Sequence, residues 1–483
     1  MSKTKLCIVL LLIITFTASI IILPACKEEA APVEEVAEEE VAPEGEVEEE
    51  AIEEVVEEVE EIEEFDYRQF AGSQITILGC AGPFNPEIQE AIEPFFELTG
   101  IEVALLDFVP ETEYYNKVQL VCAAKQGEYD IYMVGFPNMI DWVPAGWLEP
   151  LDAYLEDPTL TSPDMDLADF YPKVIENCYW DGVNGHKFGS SDNASLYVLP
   201  LGCMINTIMY RKDIFDKYGL EPPKTVKDAI EVGEIIQENE PGMYGLAIRG
   251  NKEVATLYGG IWQTLKSYGA EDFNGDLKPL FNSPEMIKGL EEIAEMINKI
   301  GNINSWANMT WYEVMTDLAS GQAAMALDAV PLVAWINAGE EAEAQGKLAY
   351  SPALYGGDRE KMVSSLWSWN LGISSDSKSK EAAWLFVQYV TGKKMQAEGT
   401  VMAFPTRSSV FESPEFIAAN EVNVGFFETW EETIPYSGFI FTPAVGLNDY
   451  GYYFVGEIQN VVLGVKTAQK AMDDVVKYYN DNF

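Results

Sequence analysis

An apolar run from Leu6 to Leu23, preceded by Lys3 and Lys5, opens the chain; a stretch without hydrophobic periodicity follows, and then a long body in which strand and helix patterns alternate. Charge followed by an apolar segment is the form of a secretory signal. The alternative is a membrane-spanning anchor, since the run is just long enough for a bilayer core of roughly 30 Å. In the body, Gln74 to Leu78 reads as a strand, followed by a turn rich in Gly and Pro that carries Phe84. Ile88, Ile92, Phe95 and Phe96 then mark a helix ending at Gly100, and Ile101 to Phe108 the next strand. A helix from Glu113 to Gln126 leads into the strand Asp130 to Val134, which opens into Gly135-Phe136-Pro137-Asn138. Strand, helix, strand, repeated, predicts a parallel α/β sheet. Ligands in such sheets sit outside the carboxyl ends of strands, which makes Phe84, Phe136 and Asn138 candidate wall residues.

Farther along, Tyr197 to Leu201 and Ile205 to Arg211 read as extended, and Gly242 to Ile248 as a short strand ending at Arg249. Ser283 and Pro284 stand as cap and first residue of a long amphipathic helix to about Ile300. The apolar strand Ala323 to Leu327 ends at Asp328. From Ser364 to Ile373 the side chains alternate, so Trp367 and Trp369 share one face and Leu366 and Ser368 the other. Trp384, Phe386, Val387 and Val390 form the apolar stripe of a late helix. The turn at Glu271 to Asp276 lacks the spacing of a calcium loop.

Composition changes this picture in three ways. Residues 27–65 carry twenty Glu and a single Lys, with no aromatic residue before Phe65, which predicts an extended acidic tether over 26–66. Ile52, Val55, Val56, Val59 and Ile62 fall at helical spacing and leave a short helix open there. The body remains strongly acidic, which argues against nucleic acid as a partner. Four cysteines lie in the body, Cys80, Cys122, Cys178 and Cys203, and their pairing stays open. With His186 the sole histidine, imidazole catalysis and His-rich metal sites are close to excluded; no cofactor or metal is expected. A body this long exceeds what one core usually supports, so two lobes are expected.

Leu23-Pro24-Ala25-Cys26 resembles the lipobox of bacterial lipoproteins, which implies a signal peptide over 1–25 and a lipid on Cys26. Behind it come, in order, GWLEPLDAYL (146–155), NGHKF (184–188), Leu199-Pro200, MYRKDIFDKYGLEPPKTVKD (209–228), ASGQAAMALDA (319–329), SKEAAWLFVQYVTG (379–392) and FPTR (404–407). This succession resembles the extracellular solute-binding proteins of ABC importers, the maltose-binding-protein-like branch that takes sugars and polyols. The resemblance implies a two-lobe periplasmic-binding-protein fold (type II), with mixed sheets flanked by helices and a hinge. It implies lobes at 67–199 with 331–400 and at 200–330 with 401–483, and crossings near Leu199-Pro200, Asp328–Pro331 and Thr400–Pro405. Pro200 and Pro331 fit such places, because proline does not extend a central strand.

By this resemblance the chain is a monomeric receptor, held by its lipid on the outer face of the cytoplasmic membrane, that passes a carbohydrate to permease subunits. Trp367 and Trp369 are candidates for stacking on the sugar, and Arg249, Asp328, Asn206 and Arg407 for bonding its hydroxyls. Polyol binders carry a small polar run with a glutamate after Leu-Pro, whereas this chain reads Cys203-Met204-Ile205-Asn206, which points away from polyols. Two other classes stay in view, an exported glycoside hydrolase working through paired carboxylates and a surface adhesion lipoprotein.

Overall fold

Gln74–Cys80 (β1) begins with an exposed residue and ends with four buried ones, the mark of a strand that runs from the rim of a sheet into its centre. In the computed structural model, which describes residues 65–82, 84–330, 342–356, 363–399 and 405–483, β1 is parallel to both Glu102–Val109 (β2) and Ile131–Gly135 (β3). The helices Asn85–Thr99 and Glu111–Ala124 make the two crossovers. Ile88, Ala91, Phe95 and Thr99 form the buried stripe of the first, while Phe96, at the same apolar end, faces solvent. Gly100 closes that helix with φ 73°, its amide bonded to the Phe96 carbonyl, a conformation in which a side chain is strained.

Two short strands, Tyr179–Trp180 (β4) and Ser195–Leu196 (β5), pair apart from the main sheet. Val198–Arg211 (β6) is the long central strand of that sheet. Tyr244–Ala247 (β7), Ala323–Val330 (β8), Leu348–Pro352 (β9), Ser364–Ile373 (β10) and Ser437–Gly438 (β11) complete it. The order is β2-β1-β3-β10-β6-β8-β7, with β9 also on β6 and β11 on β10. The first half of β6 pairs antiparallel with β10, and the second half pairs antiparallel with β8 and β9. Parallel and antiparallel neighbours thus mix within one helix-flanked sheet.

Pro200 lies inside β6 instead of ending it. The strand absorbs the missing N–H at a bulge, where Asn370 faces Pro200 and Trp369 faces Gly202. Side chains bond at the slip: Ser368 donates to the Gly202 carbonyl at 3.0 Å, and Asn370 to the Ser368 carbonyl at 3.2 Å and, on the neighbouring β3, to that of Val134 at 2.7 Å. Pro331 and residues 400–404 lie outside the described residues, as do the signal, Cys26 and the acidic stretch.

Helix Pro284–Ile300 starts as the sequence predicts, with the Ser283 hydroxyl accepting from the Met286 amide at 3.3 Å. Lys380–Val390 buries Trp384, Phe386, Val387 and Val390, with Phe386 edge-on to Phe95 at 5.0 Å. Cys80, Cys122, Cys178 and Cys203 are all free thiols and all buried, and burial pushes the thiols well away from ionisation. In a chain without the first 64 residues, a thiol reagent should therefore titrate four groups only after denaturation. Dithiothreitol should leave the unfolding midpoint unchanged; a lowered midpoint would reveal a disulfide.

Candidate functional site

β1 and β3 run parallel, so their carboxyl ends open on the same edge of the sheet, and a cavity of about 90 Å³ lies there. Cys80 borders it from the end of β1 and Phe84 from beyond it, Met133 from β3, and Glu111 from the first turn of its helix. Met204 and Asn206 come from the middle of β6, Arg249 and Tyr258 from the segment after β7, and Trp367 and Trp369 from β10. Trp311 and Ala329 complete that side.

The alternation of β10 sets the aromatic wall. Trp367 and Trp369 stand edge-on at 5.7 Å, and Tyr258 meets Trp367 at 4.8 Å. Rings with little freedom to turn give an apolar surface already in place for a ligand's C–H face. A glycine pair makes this packing possible. A Cβ on Gly259 would come 2.4 Å from Arg249 Cδ, and Gly260, at φ 113°, would meet Leu327 in the same way.

The polar groups divide into paired and unpaired. Arg249 is held by Asp328 in a fork: Nε donates to Oδ2 at 2.7 Å and Nη2 to Oδ1 at 2.6 Å, while Nη1 donates to the Ala255 carbonyl at 3.2 Å. Asp328 also accepts from the Ala329 amide at 2.6 Å and has no exposed surface. Burial pulls the Arg249 guanidinium down, and the charge and hydrogen bonds of Asp328 more than reverse this, so it stays firmly protonated. Among the described residues Glu111 takes only the Tyr115 hydroxyl, at 3.2 Å. Burial raises its carboxyl above the usual range; Arg249 and Tyr115 offset this in part, and Glu253 adds to it. Asn206 donates to the Tyr258 carbonyl. The Tyr258 hydroxyl itself, on a side chain 6% exposed, has no hydrogen-bond partner among the described residues. Among the described residues no three His, Cys, Asp or Glu side chains gather as a metal-ligand set.

Of the residues named from sequence, Phe84, Asn206, Arg249, Trp367 and Trp369 meet at this cavity. Four do not. Asp328 sits behind Arg249 as its counter-ion, with its carboxylate spent on the guanidinium. Asn138 accepts from the Gly135 amide at 2.9 Å and caps its own helix. Phe136 packs among Phe188 and Phe439, at 6.1 and 6.3 Å. Arg407, fully buried, donates to the carbonyls of Thr391, Asp166 and Met165 at 2.7, 2.9 and 2.8 Å and covers the Phe170 ring; it ties loops together. Glu111 and Tyr258 were missed. Glu111 had a signal, the step Val109-Pro110 that ends β2 at the same sheet edge. Tyr258 had one in the Gly259-Gly260 pair beside it.

The model of the family described as bacterial extracellular solute-binding protein matches residues 81–397. The erythritol/L-threitol-binding protein of Mycolicibacterium smegmatis is 31% identical over 387 residues, 78% of this chain and 80% of that one. The mannitol-binding protein of Pseudomonas aeruginosa is 26% identical over 342 residues, 68% of this chain and 73% of its own. An ABC-transporter solute-binding protein of Agrobacterium radiobacter K84, solved with ribitol, superposes with a TM-score of 0.72 at 20% identity, covering 86% of this chain and 99% of that one. Maltose-bound MalE3 of T. maritima superposes with a TM-score of 0.70 at 19% identity, covering 85% and 100%.

The Arg249–Asp328 fork has a stability consequence. Removing one member of a buried ion pair leaves the other uncompensated, at a cost of about 3–5 kcal/mol. Denaturant unfolding of Asp328→Ala should show a loss of that order. The double variant Arg249→Met/Asp328→Leu should regain most of it.

Proposed function

The chain belongs to the bacterial extracellular solute-binding proteins, a non-catalytic family, and from that premise we propose that its cavity captures a small sugar alcohol for an ABC importer. What supports this most directly is the cavity itself: about 90 Å³, aromatic on one side and lined with a few convergent polar groups. Aromatic rings beside a few polar groups suit a short polyhydroxylated solute, which offers C–H faces to the one and hydroxyls to the other. The named ligands of two relatives, tetritols and mannitol, are of this kind. They weigh against the sequence expectation drawn from Cys203-Met204-Ile205-Asn206, in which the polyol glutamate is missing; here Met204 and Asn206 border the cavity from β6 while a carboxylate faces it from Glu111. Hydrolysis of a glycoside has no place in a non-catalytic family.

We read the two ends of the sheet as the two lobes, 67–199 with 331–400 and 200–330 with 401–483, and β6 as the strand common to both. β9, which pairs with the second half of β6, then reaches across from the first lobe. Lobes that turn about such a strand bury the solute between Glu111 and the Trp pair on one side and Arg249, Tyr258 and Trp311 on the other. We also assign anchoring to Cys26: an acylated cysteine followed by a polyacidic tether places the receptor beside its permease, outside the cytoplasmic membrane, without a spanning helix.

Three outcomes follow. Erythritol, ribitol or mannitol should raise the melting temperature, since a ligand at a hundred times its Kd adds about 2.7 kcal/mol, while maltose leaves it unmoved. Trp367→Ala should weaken the alditol about tenfold by calorimetry. A response to oligosaccharides alone would refute the sugar-alcohol reading. In cells, Cys26→Ala should move the protein out of the membrane fraction, whereas a true spanning anchor would keep it there.

A further inference from the structure

We propose that Glu111 is a charge filter, which admits neutral polyhydroxylated solutes to the cavity and turns away their acids, such as aldonates. This rests on the reading of the cavity as the solute site. The charges that face the space carry the argument. Arg249 is the cation that lines the space, and the two-bonded fork to Asp328 balances its charge; with one more N–H on the Ala255 carbonyl, two of its five N–H groups are left over. An acid entering beside Arg249 therefore meets a guanidinium already matched. Glu111 is less fully matched: among the described residues no cation lies within 4 Å of its carboxylate, its hydrogen bond is to the neutral Tyr115 hydroxyl, and Arg249, already bound to Asp328, acts on it only through space. Glu253 adds a second negative charge nearby, and the Cys80 thiol stays protonated through burial. The excess charge at the cavity is negative.

A helix N-terminus ordinarily attracts anions. Here the first turn of the helix Glu111–Ala124 is already filled by its own carboxylates, Glu111 and Glu113. The cavity is otherwise ready for hydroxyls. The Tyr258 ring, packed against Trp367, adds to its apolar wall. The Glu111 carboxylate accepts from one hydroxyl, and the Arg249 N–H groups that the fork leaves over donate to another. Replace a terminal CH₂OH by a carboxylate and the fit is nearly unchanged while two like charges share a small, partly dried space. At an effective dielectric near 20 and a separation of several ångströms, that penalty is about a hundredfold in affinity or more.

The test is calorimetry at pH 7.5 with erythritol, ribitol and mannitol and the corresponding one-ended acids, erythronate, ribonate and mannonate. Wild-type protein should bind its best alditol at least about a hundredfold more tightly than the matching acid. In Glu111→Gln the alditol should weaken about tenfold, through loss of a charged acceptor, while the acid gains, so the gap shrinks to about tenfold or less. Glu111→Asp, which keeps the charge, should keep the gap even where affinity falls. Wild-type protein that binds acid and alditol alike overturns the filter and leaves the sugar-alcohol reading standing, as does a gap that persists in folded Glu111→Gln. Binding of no alditol at all overturns the sugar-alcohol reading, and the filter with it.

Discussion

One strand carries the architecture. Every residue of β6 from Val198 to Met209 is buried, and its backbone pairs along its whole length, first with β10 and then with β8 and β9. A buried strand must have its amides and carbonyls satisfied on both sides, and β6 does so by changing partners part-way. The change of partners creates the cavity. Around Met204 and Asn206 the strand leaves the β10 ladder for the β8 ladder, and the side chains at that point border open space. The bulge at Pro200 lies just upstream, with the Ser368 and Asn370 side chains bonding beside it. Everything that faces the solute is placed by reference to this strand: Trp367 lies opposite Met204, and Trp369 opposite Gly202, which has no side chain to fill the space that the indole needs.

Charge is managed with the same economy throughout this acidic body. The buried guanidiniums are each given a defined set of acceptors. Arg211 has Asp213 at 2.7 Å and Glu343, Arg249 has Asp328, and Arg407 has three carbonyls with Asp169 at 3.6 Å. A buried cation with a complete set of acceptors adds rigidity but offers little net charge to a ligand. In a protein that neutralises its buried cations so completely, polarity at the cavity comes from the Asn206 amide, the Glu111 carboxyl and an Arg249 guanidinium already matched by Asp328. That environment suits a neutral solute rich in hydroxyls better than an ion.

Much of the fold was legible because its signals are local. The succession from Gln74 to Gly135 shows strand and helix periods that switch at Gly and Pro, and the observed elements follow it closely. The alternation from Ser364 to Ile373 puts both tryptophans on one face, and both border the cavity. Pro200 misled for a physical reason: a proline argues against a central strand only where the ladder needs its N–H, and a bulge removes that need.

The site was legible only in part, because charge at a strand end looks the same whether it serves a ligand or a neighbour. Arg249 and Asp328 were each read as hydroxyl binders; they lie seventy-nine residues apart, and sequence does not show that they bind each other. Register decides between the two readings. β7 and β8 run parallel, with Ala247 beside Ala326, so each strand continues two residues further before reaching Arg249 and Asp328. The two side chains are thereby brought to the same level of the sheet, close enough for the guanidinium to meet the carboxylate. The same register shows why Asp328 does not reach the solute. It faces Thr207 across the β6 ladder, and Thr207 is itself 1% exposed, so that rung points into the core while Asn206, one residue earlier, turns to the cavity. A shift of one residue along β6 separates a binding position from a structural one, and that is information only the folded sheet contains.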